Sequence, residues 1–585
     1  MKLTSTIAVA VLAAFSGTAH ALGTTDIVWH QQVASPDSYT LKDSVKAPNG
    51  DIILIGEVQL ANTKLWVLRI DQSGNTIWSK TFSKPGAPGD FSAKVVRVSP
   101  LTNNVYVACD VTGNATPRDI YVLALDSNGT FLLDRTADVF PNDNVEDMEI
   151  GTQGNIFVAV DGLSAAQPRV SKLDPSLNTL FNYDFGNPLA VGTQTVKDIE
   201  VSPIGDVLIT GIIDSGGQAD IGLDRIDFLG GVIYQKSIGD PTIGDGDPSV
   251  VDASDGNTYL TYVRAYATLT SLGRISKFDA IGNFQWNADV PLLDRVQIAE
   301  QPSGNIVFGG TDDDSPFQTK FRCFTPLGSL VWTYDFAQPN IDRNLMEQMA
   351  VGADGTVFAT ATVEPTGNTE ADWSVSCLNP NGFGLYQWQF STGPTNYDIV
   401  TGIVPVAANS VIVSGFGGSF GNEDAHAYRL SPVLNLFPTS ATTKLGNTTN
   451  GSLASLTEDD NSYFEVCKGF VPNQVVAPVN IEFDASIPAD YPIGDVSFGT
   501  IVKTNSPGLQ QDTELWNWSL GTWEASTLTS LGFSEAFTSV LGDPVRHIEV
   551  GTRNVRARVR VRKVSFVTVA VWCVDIDQAG WRVRP

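Results

Sequence analysis

"VKDIEVSPIGDVLITGIIDSGGQADIGLDRIDFLGGVIYQKSIG", residues 196 to 239, holds four short runs rich in β-branched residues, with Pro and Gly clustered between them. The runs are VKDIEVSP, DVLITGII, ADIGLDRID and VIYQKSIG, each of strand length and bounded by turn residues. DVLITGII is nearly continuously apolar, as expected of a strand buried on both faces rather than one. No amphipathic helical pattern interrupts the segment. It reads as one four-stranded antiparallel unit.

The unit recurs. A Gly or Asn turn followed by a β-rich run stands at Gly50, Asn104, Gly154, Gly205, Gly256, Gly304, Gly355 and Asn409, with gaps of 54, 50, 51, 51, 48, 51 and 54 residues. Four-stranded units at this period are the signature of a β-propeller, in which radial packing covers both faces of every sheet. The expected fold is therefore all-β: an eight-bladed propeller, with seven blades as the fallback if one unit is degenerate. "DIVWHQQV" (26–33) resembles a fourth strand without the preceding three, and Trp29 matches Trp78 of "NTIWSKTF". The last unit has a poor fourth strand, "NLFPTS". Pairing the N-terminal strand into the last blade would close the ring and hide an exposed edge.

The ends differ from the repeats. Residues 1–21 read as a signal peptide: Lys2, an apolar run from Ile7 to Phe15, and the Ala19-His20-Ala21 cleavage site. The apolar run is short for a membrane span. The propeller is expected over 22–438, a polar linker over 439–450, and an antiparallel β-sandwich over 451–585. In that last region "NVRARVRVRKV" (554–564) alternates Val555, Ala557, Val559 and Val561 with Arg556, Arg558, Arg560 and Arg562, a half-buried strand.

Composition bounds the function. The net charge of −28 becomes −29 once Lys2 leaves with the signal peptide, so nucleic acid and anionic membranes would be repelled. After cleavage only His30, His426 and His547 remain, little material for a zinc site or a His-based triad. There is no H-E-x-x-H or P-loop. Of five cysteines, Cys467 and Cys573 lie in strand-like runs of one domain and are the expected disulfide in an oxidising compartment; Cys109, Cys323 and Cys377 read as buried strand residues.

Residues 43 to 437, with their outer aromatic strands, acidic loops and "VSPIGDVLITG"-like segments, resemble the secreted bacterial β-propeller repeat family. The hairpin "LRIDQSGNTIWSKTF" (68–82) also looks like the docking motif of quinone-binding (PQQ-like) propeller dehydrogenases. It departs from that motif: the Thr is missing, and Trp78 stands seven rather than eight residues after Asp71. Asp126, Asp174, Asp227, Asp279, Thr325 and Asn379 repeat the Asp71 position, and Trp286, Trp332 and Trp388 repeat the aromatic. An Asx-type corner with a Gly of positive φ explains the motif without a cofactor, the aromatic packing between blades. "GSLASLTEDDNSYFEV", "ELWNWSLGTWE" and "DIDQAGW" resemble a C-terminal sandwich domain of bacterial secreted repeat proteins, which implies an exported location and no chemistry.

The loops before the first strands repeat an acid, one per unit: Asp43, Asp90, Asp147, Asp198, Asp247, Asp294, Glu347 and Asp398. Asp43, Asp147, Asp198, Asp247 and Glu347 are the candidate ligand-binding acids of the channel mouth, with turn formation and blade-to-blade hydrogen bonding as the alternative. A ring of carboxylates could hold Ca²⁺ or attract a cationic ligand. "DDD" (312–314), "DGD" (245–247) and "EDD" (458–460) are Ca²⁺-like fragments, none with a complete EF-hand ligand set. The function expected is an exported, non-enzymatic propeller that binds an extracellular protein or glycan. It would need no cofactor, insert in no membrane and act in the periplasm, at the cell surface or in the medium. The alternative is an extracytoplasmic enzyme, carbohydrate-active or oxidoreductase, using the channel mouth.

Overall fold

The computed structural model describes residues 24–584 apart from short stretches at 34–36, 85–89, 113–117, 138–142, 163–166, 187–193, 215–218, 240–243, 266–270, 292, 313–317, 337–340, 366–370, 383, 393–395, 408, 420–421, 457–462, 470–476, 488–492 and 564–570. The expected signal peptide lies outside the described residues. Strands β1 (Thr24–Val33), β2 (Tyr39–Lys46), β3 (Ile52–Gln59), β4 (Thr63–Ile70) and β5 (Thr76–Phe82) open the chain. β2 to β5 form a four-stranded antiparallel sheet in sequential order, and the same arrangement recurs in six further sheets up to Phe390. A last set, Ile399–Ala407, Ser410–Ser419 and Asn422–Leu436, pairs in order and takes β1 alongside its third strand. Repeated four-stranded sheets of this kind are β-propeller blades.

The continuous apolar runs are explained by burial from both sides. Ile52, Ile53, Leu54 and Ile55 are all fully buried, as is every residue of Val105–Val111. Alternate residues of one strand enter different cores. Leu54 packs with Val404 and Ile412 of the last set, whereas Ile53 and Ile55 pack with Val96 and Val107 of the second sheet. Each sheet shares such a cluster with the next all the way round. Burying each large aliphatic side chain contributes about 1.5–3 kcal/mol, so stability is spread over these radial layers.

The hairpin between the third and fourth strands is built as its residues dictate. Asp71 Oδ1 accepts from the backbone N–H groups of Ser73 and Asn75, each at 2.8 Å, and Gly74 follows with φ +83°. Asp126, Asp174, Asp227 and Asp279 make the same pair of bonds in later sheets; Thr325 accepts from Ser329 N and Asn379 from Asn381 N. The aromatic then reaches the next hairpin along. Trp78 Nε1 donates to Ser127 O at 3.0 Å, Trp286 to Pro326 O and Trp332 to Pro380 O, both at 3.1 Å. One assignment is corrected. Tyr386, opposite Cys377, holds the place that Trp332 holds opposite Cys323; Trp388 lies two residues further and packs on Phe390 and Tyr428. Residues two apart share a strand face, so both aromatics satisfy the sequence pattern.

The chain divides into compact units, Ile27–Leu430 and Ser431–Pro585, with the boundary earlier than 438. Residues 439–450, expected as a linker, instead form strands Ser440–Leu445 and Asn447–Asn450. Their Thr-rich, largely exposed sequence suits edge strands, which need β propensity but little apolar surface. The second unit holds a five-stranded sheet of Ser440–Leu445, Val479–Ser486, Asn554–Lys563, Leu509–Asn517 and Thr522–Leu531. A second sheet centres on Cys573–Arg584, and one core takes Phe483 and Val559 from the first and Phe498 and Trp581 from the second. The arginine row lies outside this core. Arg558 grips Glu514 at 2.6 and 3.0 Å and lies 4.3 Å over the Trp523 ring. Cys467 stands opposite Cys573 and the two are joined by a disulfide; Cys109, Cys323 and Cys377 are buried thiols. Among the described residues, no helix is long and apolar enough to cross a membrane.

Candidate functional site

Every inner strand of the propeller carries a β-bulge near its middle. The register slips between Leu41 and Asp43, Ala93 and Val95, Val145 and Asp147, Val196 and Asp198, Gly246 and Ser249, Asp294 and Gln297, Met346 and Gln348, and Val400 and Gly402. A bulge turns a side chain out of the ladder and bends the strand. Repeated round the propeller, it aims a set of polar groups into one place. There a cavity of about 1020 Å³ is lined by Asp43, Asp147, Asp198, Asp247 and Glu347 together. Asp90 and Asp398 do not line it: Asp90 accepts from Thr63 N, and the buried Asp398 accepts from Thr392. The side chain of Asp294 lies outside the described residues.

The five acids fall into two kinds. Asp43, Asp147 and Asp198 follow their bulge, and each accepts from a backbone N–H of the next sheet: Val96 at 2.9 Å, Ile199 at 3.1 Å and Val250 at 2.9 Å. Gln297 holds the same position further round and accepts from Met349 N at 2.6 Å. An uncharged amide thus makes the same staple, so the carboxylates add a charge that the staple does not require. Asp247 and Glu347 sit within the bulge itself. Asp247 is exposed, in the left-handed region at φ +46°, and Glu347 pairs with Arg295 at 2.9 Å.

Two residues beyond the staple, the next row brings Arg97, Glu149 and Glu200 into the same cavity. Arg97 reaches Glu149 at 2.6 Å, Asp43 at 3.2 Å and Asp147 at 3.3 Å. Burial opposes its charge, but the carboxylates of Glu149, Asp147 and Asp43 prevail and hold it firmly protonated. Burial raises Asp43 and Glu149 above the usual carboxylate range, with Arg97 opposing in both cases. Asp198 has no such cation: burial and then the Asp147 charge push it up to about 7. Glu200 is driven well above its ordinary value by burial, then by Glu149 and Asp198. Neither Asp198 nor Glu200 forms an ion pair among the described residues. The rest of the lining is mixed: Ile298, Met346, Met349, Ala350 and Ile403 alternate with Arg295, Gln297 and Gln348, and Lys42, Lys94 and Lys197 also reach the cavity.

Glu149, Glu200 and Arg97 escape recognition from sequence because they recur in only part of the ring. A second set of staples was legible and passed over. Glu57, Asp110, Asp161 and Thr311 stand six or seven residues after their turns at 50, 104, 154 and 304. They accept from Ala93, Val145, Val196 and Met346 N–H groups at 2.7–3.0 Å.

The group of acidic, His or Cys atoms close enough to share an ion among the described residues is Glu465, Cys467 and Cys573, whose sulfurs form the disulfide. Of the acidic fragments, Asp312 pairs with Lys320 and Asp245 lies 3.6 Å from Arg264; Asp313, Asp314 and residues 458–460 lie outside the described residues.

No family model and no curated protein sequence matches the chain. Among solved structures, the WD40 domain of SCAP from fission yeast is similar at 12% identity and TM-score 0.42, covering 69% of this chain and 98% of that one. The β-propeller domain of the Trilobed protease from Pyrococcus furiosus is similar at 10% identity and TM-score 0.37, covering 58% and 94%. A protein of unknown function from Dyadobacter fermentans DSM 18053 is similar at 10% identity and TM-score 0.35, covering 70% and 99%. The β-propeller fold rests on the repeated four-stranded sheets and not on these likenesses. Likeness at this level says nothing of function, which rests on the cavity.

Proposed function

We propose that this chain is an exported, eight-bladed β-propeller of the secreted bacterial repeat type, which binds an extracellular ligand at its channel mouth without catalysis. The ligand is the cationic part of a protein or a glycan, such as a protonated amine. The C-terminal unit is a β-sandwich that attaches or presents the propeller. Seven four-stranded sheets and a last set completed by β1 support the blade count. Two sheets sharing one core support the sandwich.

The observation that carries the binding reading is the uncompensated acidic arc. Asp198 and Glu200 line a solvent-open cavity beside the Arg97-bridged acids, and neither forms an ion pair among the described residues. A cation entering beside them would favour the charged forms of both carboxyls and draw their raised pKa values down, because an opposite charge within a few ångströms stabilises a carboxylate. An amine on an alkyl chain could meet the acids with its charge and Ile298, Met349 or Ile403 with its methylenes.

One observation favours an enzyme as the second reading. A carboxyl held at about 7 next to further acids is the arrangement of a general acid–base pair. The two readings separate in one experiment. The mature protein is screened by thermal shift with spermidine, Ca²⁺, Mg²⁺ and neutral oligosaccharides, and the same mixtures are assayed for turnover. Stabilisation by spermidine, lost in Asp198→Asn/Glu200→Gln and unaccompanied by turnover, supports binding. Turnover lost in Glu200→Gln supports the enzyme. Stabilisation by Ca²⁺ alone would make the ligand a metal ion.

A further inference from the structure

Two of the three histidines of the mature chain, 396 residues apart in sequence, meet where the propeller closes. His30 lies on β1 and His426 on the strand Asn422–Leu436 to which β1 pairs. His30 Nε2 stands 3.1 Å from His426 Nδ1. The His30 ring stacks on Tyr428 with centroids 4.1 Å apart and planes 3° from parallel. Trp373 and Phe390 cover His426, which is only 4% exposed.

We propose that the His30–His426 pair is an acid-released latch, which holds β1 in the ring when neutral and frees it when protonated. A neutral pair needs one ring to donate and the other to accept, and the 3.1 Å approach supplies that single bond. Once both rings are charged, each nitrogen is a donor, and like charges face one another in an aromatic enclosure.

The acidic groups on the surrounding elements do not offset the charge. On the strand of His426, Asp424 is engaged by Gln32 of β1 at 2.9 Å, and Glu423 accepts from Ser38 ahead of β2. Asp372, beside Trp373, accepts from Gln389, and Asp398 accepts from Thr392. Tyr428 is held neutral by burial and then by the Asp398 charge. Burial accordingly holds His30 down at about 4, while burial and then the His30 charge hold His426 at about 3. Both lie below the value of about 6.5 for a histidine in open chain. The closed form therefore binds fewer protons than the open form between about pH 6.5 and 4, and its advantage falls as the pH drops through that window. Release would leave the strand Asn422–Leu436 with an unpaired edge, a template for another strand.

Hydrogen exchange of the full mature chain, compared at neutral pH and at about pH 5 after correction for intrinsic exchange, tests the latch. Amides of β1 should open at least about tenfold more often in acid, while those of Val207–Asp214 keep their protection. In His30→Phe/His426→Phe, which keeps flat rings but cannot titrate, the acid response of β1 should vanish. If that variant does not fold, His30→Gln serves instead and should reduce the response. An equal acid response in wild type and variant, or no response in wild type, overturns the proposal.

Discussion

The indole Nε1 of Trp29 donates a 2.8 Å hydrogen bond to the carbonyl of Gln72, and Gly74 lies against the same ring. Trp29 stands on the N-terminal strand and Gln72 in the hairpin of the first complete sheet. Their contact repeats what Trp78, Trp286 and Trp332 do between consecutive sheets. A contact made elsewhere between neighbours thus also closes the ring.

Gly74→Ala should be more damaging than its size suggests. A Cβ there would lie 2.6 Å from the Trp29 ring, on a backbone at φ +83° that an L-residue resists. A loss of about 2–3 kcal/mol is expected in urea unfolding, of the order that strain and overpacking produce together. Trp29→Ala should cost a similar amount and also release β1 to proteolysis. Equal protease resistance in Trp29→Ala and wild type would contradict the seam.

Arg97 holds three carboxylates apart from one another. Arg97→Met should lower stability by about 2–4 kcal/mol, the lower part of the range for breaking a buried ion pair, because a quarter of its side chain meets solvent. The deficit should shrink in acid, where Asp43 and Glu149, both raised by burial, can be neutral. Urea midpoints measured against pH check both statements.

Asp198 gives the opposite pH signature from the histidine latch. Its folded value of about 7 exceeds the open-chain value of about 3.9, so the folded form binds the extra proton. Its contribution is present below about pH 4 and is lost as the pH rises towards 7. Asp198→Asn, whose amide oxygen can still accept from Val250, should therefore gain on wild type as the pH rises from about 4 to 7. A wild-type-minus-variant difference that does not move with pH in calorimetric melts would refute the assignment.

The Cys467–Cys573 disulfide spans 106 residues of the second unit. Replacing both by Ser should lower the unfolding free energy of that unit by about 2–4 kcal/mol. The transition of the propeller unit, whose three cysteines are buried thiols, should stay where it is. Two-probe denaturation, with a fluorescence signal for each unit, separates the two.

The repeat period, the hairpin corners and the N-terminal closing strand were all legible, because each depends on local chemistry that recurs. Asp71 and Gly74 make a corner in any context that supplies the hairpin. Residues 439–450 read as a linker because edge strands and loops share polar, Thr-rich composition. The cavity was half legible. The five acids converge, but the sequence hid that Asp43, Asp147 and Asp198 serve as staples while Asp247 and Glu347 occupy bulges. It hid too that Arg97 would bridge Asp43, Asp147 and Glu149 while Asp198 and Glu200 form no ion pair among the described residues. Spacing along a chain carries no sign of which charges will meet across a ring.

Isothermal titration of the mature protein with spermidine, at low and high salt, tests the proposed function most directly. Saturable binding that weakens with salt and is lost in Asp198→Asn/Glu200→Gln, with the variant still folded, is the predicted result. Binding unchanged in that variant, or no binding at low salt, would contradict the account.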